Sequence, residues 1–296
     1  MRVLVTGREG QLARSLAERG AGLPGLCVQA LGRPELDLER PESIASAIAA
    51  AAPDVVVNAA AYTAVDQAED EPEAAFRINA AAAGEVAAAA RRAGAPVIQV
   101  STDYVFDGSG AGPYDESAAT NPLGAYGRSK LEGERRVAAE NPDHLIVRTA
   151  WVYSPWGRNF LKTMLGAARQ REALDVVADQ RGSPTAAGDL ADGILAAIGQ
   201  WRERPGLGLG GVYHLAGTGE ASWFEFAAAI FVEAGRLGLP TASVRPVETA
   251  DWPTRAPRPA NSVLDSSRFA RDFGYRAPLW QSSVAVVVAE LSRRQD

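Results

Sequence analysis

One cysteine, two histidines and two lysines are all that this 296-residue sequence contains of three chemically versatile side chains, and each shortage closes off a chemistry. Cys27 has no second thiol to pair with, so a disulfide within the chain and dithiol redox chemistry are excluded. His144 and His214 stand away from any carboxylate at metal-ligand spacing, which argues against a zinc site and against a histidine-dependent triad. No apolar run approaches the roughly 20 residues of a membrane-spanning helix. The N-terminus enters a strand-like segment at once, so neither leader nor anchor is expected and a cytoplasmic location follows. The net charge of −6 lacks the basic surplus of a nucleic-acid binder. The expected partner is a small molecule, with no nucleic acid and no membrane.

What the chain has in quantity is alternation. Short β-branched apolar runs (3–6, 27–31, 54–58, 97–100, 145–148) are separated by alanine-rich helical stretches near 10–20, 42–51, 73–93 and 124–140. Continuous apolar strands with a helix between each pair predict a parallel sheet covered on both faces, a doubly wound, Rossmann-like α/β fold. Beyond residue 150 the pattern loosens. Helical stretches near 159–171, 186–199, 222–237 and 279–293 are interrupted by a glycine-rich segment at 205–211 and a proline-rich one at 246–259. Residues 174–177 and 212–215 read as further strands, the second a candidate to rejoin the main sheet. The division expected is a dinucleotide-binding domain over 1–150, rejoined by parts of 186–215, and a smaller C-terminal substrate-binding lobe made mainly of 151–296.

The scarcity of lysine gives one position its weight. Lys and Arg together number 30, and only Lys130 and Lys162 are lysines. Where arginine is the habit, a retained ammonium points to a compact charge on a flexible stem that guanidinium cannot replace. Lys130 follows Tyr126 by four residues, which puts phenol and ammonium on one helix face. A nearby cation stabilises phenolate and is expected to lower the tyrosine pKa toward neutrality, making Tyr126 a general acid.

Four strand ends add to this. The first strand runs into Thr6-Gly7-Arg8-Glu9-Gly10-Gln11-Leu12-Ala13. There Gly7 permits a tight turn, Gly10 lets a pyrophosphate approach the backbone and Ala13 allows the helix to pack closely. After the second strand, where a carboxylate would grip an adenosine ribose, the chain has Ala30-Leu31-Gly32-Arg33, and Arg33 is placed to meet a 2′-phosphate. NADPH is therefore the expected cofactor, with NADH as a second donor. The following Asp37-Leu38 could seat the adenine or begin the next helix. The third strand ends in Asn58-Ala59-Ala60-Ala61-Tyr62-Thr63, small residues that leave room for a ligand. The fourth leads to Ser101-Thr102-Asp103-Tyr104, where Thr102 could bond a substrate carbonyl beside Tyr126 or serve as a capping hydroxyl.

Together the glycine turn, Asn58-Ala59-Ala60-Ala61, Ser101 to Phe106 and Tyr126-x-x-x-Lys130 resemble the extended short-chain dehydrogenases/reductases. Within them they resemble the dTDP-4-dehydrorhamnose reductase family. Residues 64–69, 148–153, 159–164, 179–185 and 258–265 match further family motifs, so the resemblance runs nearly end to end. It implies a nucleotide-sugar substrate and reduction of its C4 keto group. It implies Tyr126 as proton donor, Lys130 as its electrostatic partner and Thr102 as the hydroxyl that tunes the pair. Gly10, Gln11, Leu12, Asp37, Leu38, Ala61, Tyr62 and Thr63 match cofactor-contacting positions, and Thr102, Asp103 and Trp151 substrate contacts; Lys162 gains no role. Some family members bridge a dimer through a metal held by acidic residues, but here those places hold Ser15 and Gly188, although Glu290 remains. No metal is expected, and a homodimer stays open. The competing readings are an epimerase or dehydratase on a nucleotide sugar, or a non-catalytic NADP-binding regulatory subunit. The absence of an acidic neighbour directly after Asp103 weakens the dehydratase, and the intact Thr102, Tyr126 and Lys130 weaken the regulatory subunit.

Overall fold

Alternate residues of each central strand are buried on opposite faces, and this decides the architecture. Val3 and Val5 pack with Leu12, Leu16, Leu190 and Ile194 on one side. Leu4 packs with Ile44, Ile48 and Val86 on the other. A computed structural model of the chain describes residues 1–203 and 210–294; apart from its last two residues, the glycine-rich segment 205–211 lies outside them. Among the described residues the main sheet has six strands: β1 (Arg2–Thr6), β2 (Cys27–Leu31), β3 (Val55–Asn58), β4 (Val97–Thr102), β5 (His144–Thr149) and β6 (Gly211–His214). Their order is β6-β5-β4-β3-β1-β2, and every pairing is parallel. The doubly wound expectation is met, and the strand read at 212–215 does rejoin the sheet beside β5.

The intervening helices are α1 (Gln11–Ala21), α2 (Pro41–Ala51), α3 (Ala82–Arg92), α4 (Ala125–Glu140) and α5 (Ala187–Glu203). α1 and α5 cover one face of the sheet, α2, α3 and part of α4 the other. Burying one such Leu, Ile or Val side chain contributes about 1.5–3 kcal/mol, so these two apolar layers outweigh any single polar contact between them. The order of β1 and its neighbours reverses the chain's direction of travel across the sheet, and that switch point opens a crevice at the strands' carboxyl ends.

A second apolar cluster joins α6 (Trp223–Arg236) and α7 (Trp280–Arg293) through Phe226, Ile230, Val284 and Val288. α6 begins with a capping box: the Ser222 hydroxyl accepts from the Glu225 N–H, and the Glu225 carboxylate accepts from the Ser222 N–H. The proline-rich stretch starts differently from its reading as a mere interruption. Ser243–Val247 is a strand, parallel to Ala173–Val177, with Pro246 inside it. A two-stranded sheet has an open edge on each strand, so a residue without an N–H is tolerated there.

The helical stretch read at 73–93 is broken. It consists of Pro72–Phe76, a π-helical turn Arg77–Ala81, and α3. Behind the crevice, Glu134 on α4 and Arg148 on β5 form an ion pair at 2.7 Å with both side chains only 5% exposed. The Ser101 hydroxyl adds a 2.5 Å bond to the same carboxylate. Removing one member of such a pair strands the other charge in the interior. Glu134→Ala is therefore expected to lower unfolding free energy by about 3–5 kcal/mol. Joint replacement of Glu134 and Arg148 by leucine should cost much less. Urea titration checks both, and a loss under about 1 kcal/mol for Glu134→Ala contradicts the account.

Candidate functional site

A row of buried amide and hydroxyl side chains crosses the carboxyl ends of β1, β3 and β4. Thr6 Oγ1 donates to Asn58 Oδ1 at 2.6 Å, Asn58 Nδ2 donates to Gln99 Oε1 at 2.7 Å, and Gln99 Nε2 donates to the Val100 carbonyl at 2.9 Å. The same carbonyl accepts Lys130 Nζ at 2.6 Å. The floor of the crevice is thus tied laterally, and its last oxygen holds the ammonium. Asn58 appeared in the sequence only as part of a motif and Gln99 as one residue of a strand. Their signal was a polar residue inside an otherwise apolar run.

Above this floor opens a cleft of about 1090 Å³. Gly7, Gly10, Gln11, Leu12, Arg33, Asp37, Leu38, Ala61, Thr63, Thr102, Asp103, Tyr126, Lys130 and Trp151 all line it. Gly7 has φ +89°, a conformation that glycine adopts without penalty. α1 starts with no side-chain cap and no acidic residue in its first turn, so its leading N–H groups and dipole are free to meet an anion. A Cβ added at Gly10 would meet nothing, which leaves the backbone open to a close-lying phosphate. These features fit the diphosphate of a dinucleotide. Arg33 is exposed at the cleft and makes no ion pair among the described residues, whereas Arg8 beside it is engaged by Glu35 at 2.9 Å.

Tyr62 departs from its expected place. Its side chain does not line the cleft but packs with Ala68, Ala75 and Ala125, and its hydroxyl reaches Glu71 at 3.1 Å. What fixes this loop is Asn79, which no sequence pattern singled out. The π turn aims its amide so that Oδ1 accepts from the Tyr62 N–H at 2.9 Å while Nδ2 donates to the Tyr62 carbonyl and to Ser129 Oγ, both at 3.0 Å. Ser129 lies on α4 between Tyr126 and Lys130 and donates to the Tyr126 carbonyl at 2.8 Å. The Ala61–Thr63 side of the cleft and α4 are therefore positioned as one piece. Gly127 allows α4 to approach the turn after β4: a Cβ there would stand 2.1 Å from the Tyr104 carbonyl oxygen.

Tyr126 and Lys130 do share the face of α4 that looks into the cleft, but the expected acidification is absent. Burial pushes the Tyr126 phenol up to about 12; the Thr102 hydroxyl, hydrogen-bonded to it, pulls the other way, and the Asp103 charge raises it further. Lys130 does not offset this rise, because its own pKa lies lower and the amine is already neutral where the phenol titrates; its ammonium meets the Val100 carbonyl at 2.6 Å. Lys130, 4% exposed, is itself pushed down to about 8 by burial, with Glu134 partly offsetting. Asp103 is raised to about 6, again by burial first. Thr102 Oγ1 donates to Asp103 Oδ1 at 3.0 Å and accepts from the Tyr104 N–H at 3.2 Å, so it caps the turn as well as facing the phenol.

Residues 1–293 match one family model, described as the RmlD substrate binding domain. The protein belongs to that family. Among its relatives is the dTDP-4-dehydrorhamnose reductase of Sinorhizobium fredii, 45% identical over 288 residues, with 97% of each chain covered. A crystal structure of the Clostridium acetobutylicum dTDP-4-dehydrorhamnose reductase superimposes with a TM-score of 0.91 at 37% identity, covering 98% of this chain and 99% of that one. The Bacillus anthracis dTDP-4-dehydrorhamnose reductase, solved in complex with NADP, gives 0.89 at 36% identity over the same shares.

The RmlD-family motifs far apart in the sequence meet around the cleft. Arg258 reaches Asp66 at 2.7 Å, joining the segments 258–265 and 64–69, and Glu69 Oε1 accepts from the first N–H of α4 at 2.6 Å. Lys162 has its ammonium on the Pro155 carbonyl at 3.2 Å. Ser15, Gly188 and Glu290 line one small pocket of about 180 Å³. At these three positions the donors are poor for a metal: the Ser15 hydroxyl is spent on the Gln11 carbonyl, Gly188 brings no side chain, and Glu290 accepts from Arg294 at 2.5 Å. The clearest test of the site is Tyr126→Phe. It should keep cofactor affinity, measured by NADPH fluorescence, and lose at least about a hundredfold in turnover. A rate near wild type removes Tyr126 from the chemistry.

Proposed function

We propose that this protein uses NADPH, with NADH also accepted, to reduce the C4 keto group of dTDP-4-dehydro-β-L-rhamnose. The product is dTDP-L-rhamnose, in the last step of that nucleotide sugar's synthesis. In this reading residues 1–150, with parts of 186–215, hold the dinucleotide, residues 151–296 mainly hold the sugar, and the enzyme works in the cytoplasm. The observation that carries it is the meeting of Thr102, Tyr126 and Lys130 with the α1 phosphate turn in one cleft, within a chain matched to this family over residues 1–293.

Bound NADPH supplies the hydride that C4 receives. The residues of the chain handle the proton. As C4 takes the hydride, negative charge builds on its oxygen, and Thr102 and Tyr126 are placed to donate to it. The phenol needs no acidification for this. An alcohol is about as weak an acid as water, whose pKa is about 15.7, so a phenol near 12 still gives its proton to an alkoxide downhill. What the high value demands is a source that restores the phenolic proton. Lys130, near 8 and one helical turn away on the same face, is the stronger acid of the two and fills that role. Arg33 at the adenosine end of the cleft takes a 2′-phosphate, which sets the preference for NADPH.

Mixing purified protein, NADPH and enzymatically prepared dTDP-4-dehydro-L-rhamnose tests the reading. One reduced nicotinamide should be consumed per sugar, with higher kcat/KM for NADPH than for NADH. Turnover of the sugar without net consumption of NADPH assigns the protein to the epimerases or dehydratases instead. Equal or better efficiency with NADH contradicts the role of Arg33.

A further inference from the structure

Two indoles form the wall of the cleft at its far end, and only one of them stood out in the sequence. Trp151 and Trp223 both line the cleft, and their rings are nearly coplanar in orientation, with centroids 3.4 Å apart and 4° between planes. So complete an overlap is less favoured than the offset or edge-on arrangement of most aromatic pairs. Trp151 also has φ +47°, in the left-handed region that bulky residues avoid. Two unfavourable features at one residue persist only where the surroundings over-determine it, and such places are commonly functional.

The surroundings do over-determine it. A Cβ added at Gly182 would lie 2.4 Å from Trp151 Cε2 and 2.5 Å from its Nε1, so the indole rests against bare backbone along that edge. Arg181–Gly182 pairs antiparallel with Ala221–Ser222, and Arg181 holds Glu220 at 2.7 Å. Trp223 follows directly as the first residue of α6, where the Ser222–Glu225 capping box fixes the helix start. Behind it, Phe160 packs against the Trp223 ring at 4.6 Å between centroids, which ties the wall to the lobe's apolar core.

We propose that Trp223 is a positioning residue that, with Gly182, seats the Trp151 indole as a flat wall against the deoxyhexose and so sets affinity for it. The proposal rests on the reductase reading above and deepens it. A 6-deoxy sugar presents a methyl group and ring C–H bonds in place of a hydroxyl, and an aromatic plane complements that apolar edge. No sugar fits between rings 3.4 Å apart, so the ligand meets one face of the pair and the second indole acts through the first.

Stacked indoles couple excitonically, and wild-type protein should show the resulting couplet in its circular dichroism. Trp223→Ala should abolish the couplet and raise KM for dTDP-4-dehydro-L-rhamnose roughly tenfold, the scale of one lost aromatic pair. The KM for NADPH should stay unchanged and kcat should fall less than KM rises. Trp223→Phe, which keeps an aromatic face, should recover most of that affinity. Gly182→Ala, which keeps both indoles but displaces Trp151, should raise the same KM. The proposal is overturned by folded Trp223→Ala protein whose sugar KM is unmoved. Wild-type protein that shows the couplet but does not reduce the sugar strikes instead at the reductase reading, and the proposal falls with it.

Discussion

The buried ammonium of Lys130 is the constraint on which the cleft depends. A charge that is 4% exposed needs a partner, and it has one strong hydrogen bond, 2.6 Å to the carbonyl of Val100. That oxygen is also held by Gln99, and through Asn58 and Thr6 the hold extends across three strand ends to the phosphate-binding turn. Glu134, four residues after Lys130 on the same helix, favours the charged form, while Arg148 and Ser101 occupy its carboxylate. The result is an ammonium kept in the interior with a proton it gives up more easily than an exposed lysine would.

The two parts of the chain meet at this cleft through a few long-range polar contacts. Gln11, the first residue of α1, donates to the Val152 carbonyl at 3.2 Å and accepts from Ser154 and Asn159, each at 2.9 Å. Its side chain is therefore a tie between the dinucleotide turn and the sugar end, which a cofactor-contact role alone did not suggest. On the opposite side the Asp66–Arg258 pair closes the proline-rich segment onto the loop after β3. Fold and site are thus built by the same contacts, and displacement of either end shifts the wall of the cleft.

Much of this was legible because periodicity and spacing report directly on strands, helices and one-sided faces. The five N-terminal strands, the return of a sixth, the phosphate turn and the shared face of Tyr126 and Lys130 all follow from local pattern. What escaped depends on the third dimension. Asn79 reaches Tyr62 only because a π turn rotates it, and Trp223 matters only because Gly182 and Trp151 come to it from elsewhere in the chain. The phenol's direction of shift was misjudged for a similar reason. The i, i+4 spacing places an ammonium on the right face, but it does not reveal that burial raises the phenol and lowers the ammonium, or that the Asp103 charge adds to the phenol's rise.

The central claim is that protonated Lys130 sustains proton delivery by a phenol that remains a weak acid. It is tested most directly by the pH dependence of kcat for keto-sugar reduction at saturating NADPH and sugar. The account predicts a rate that holds at neutral pH and falls as pH rises through about 8, where Lys130 loses its proton. A rate that stays level up to the ordinary lysine pKa of about 10.4 contradicts it.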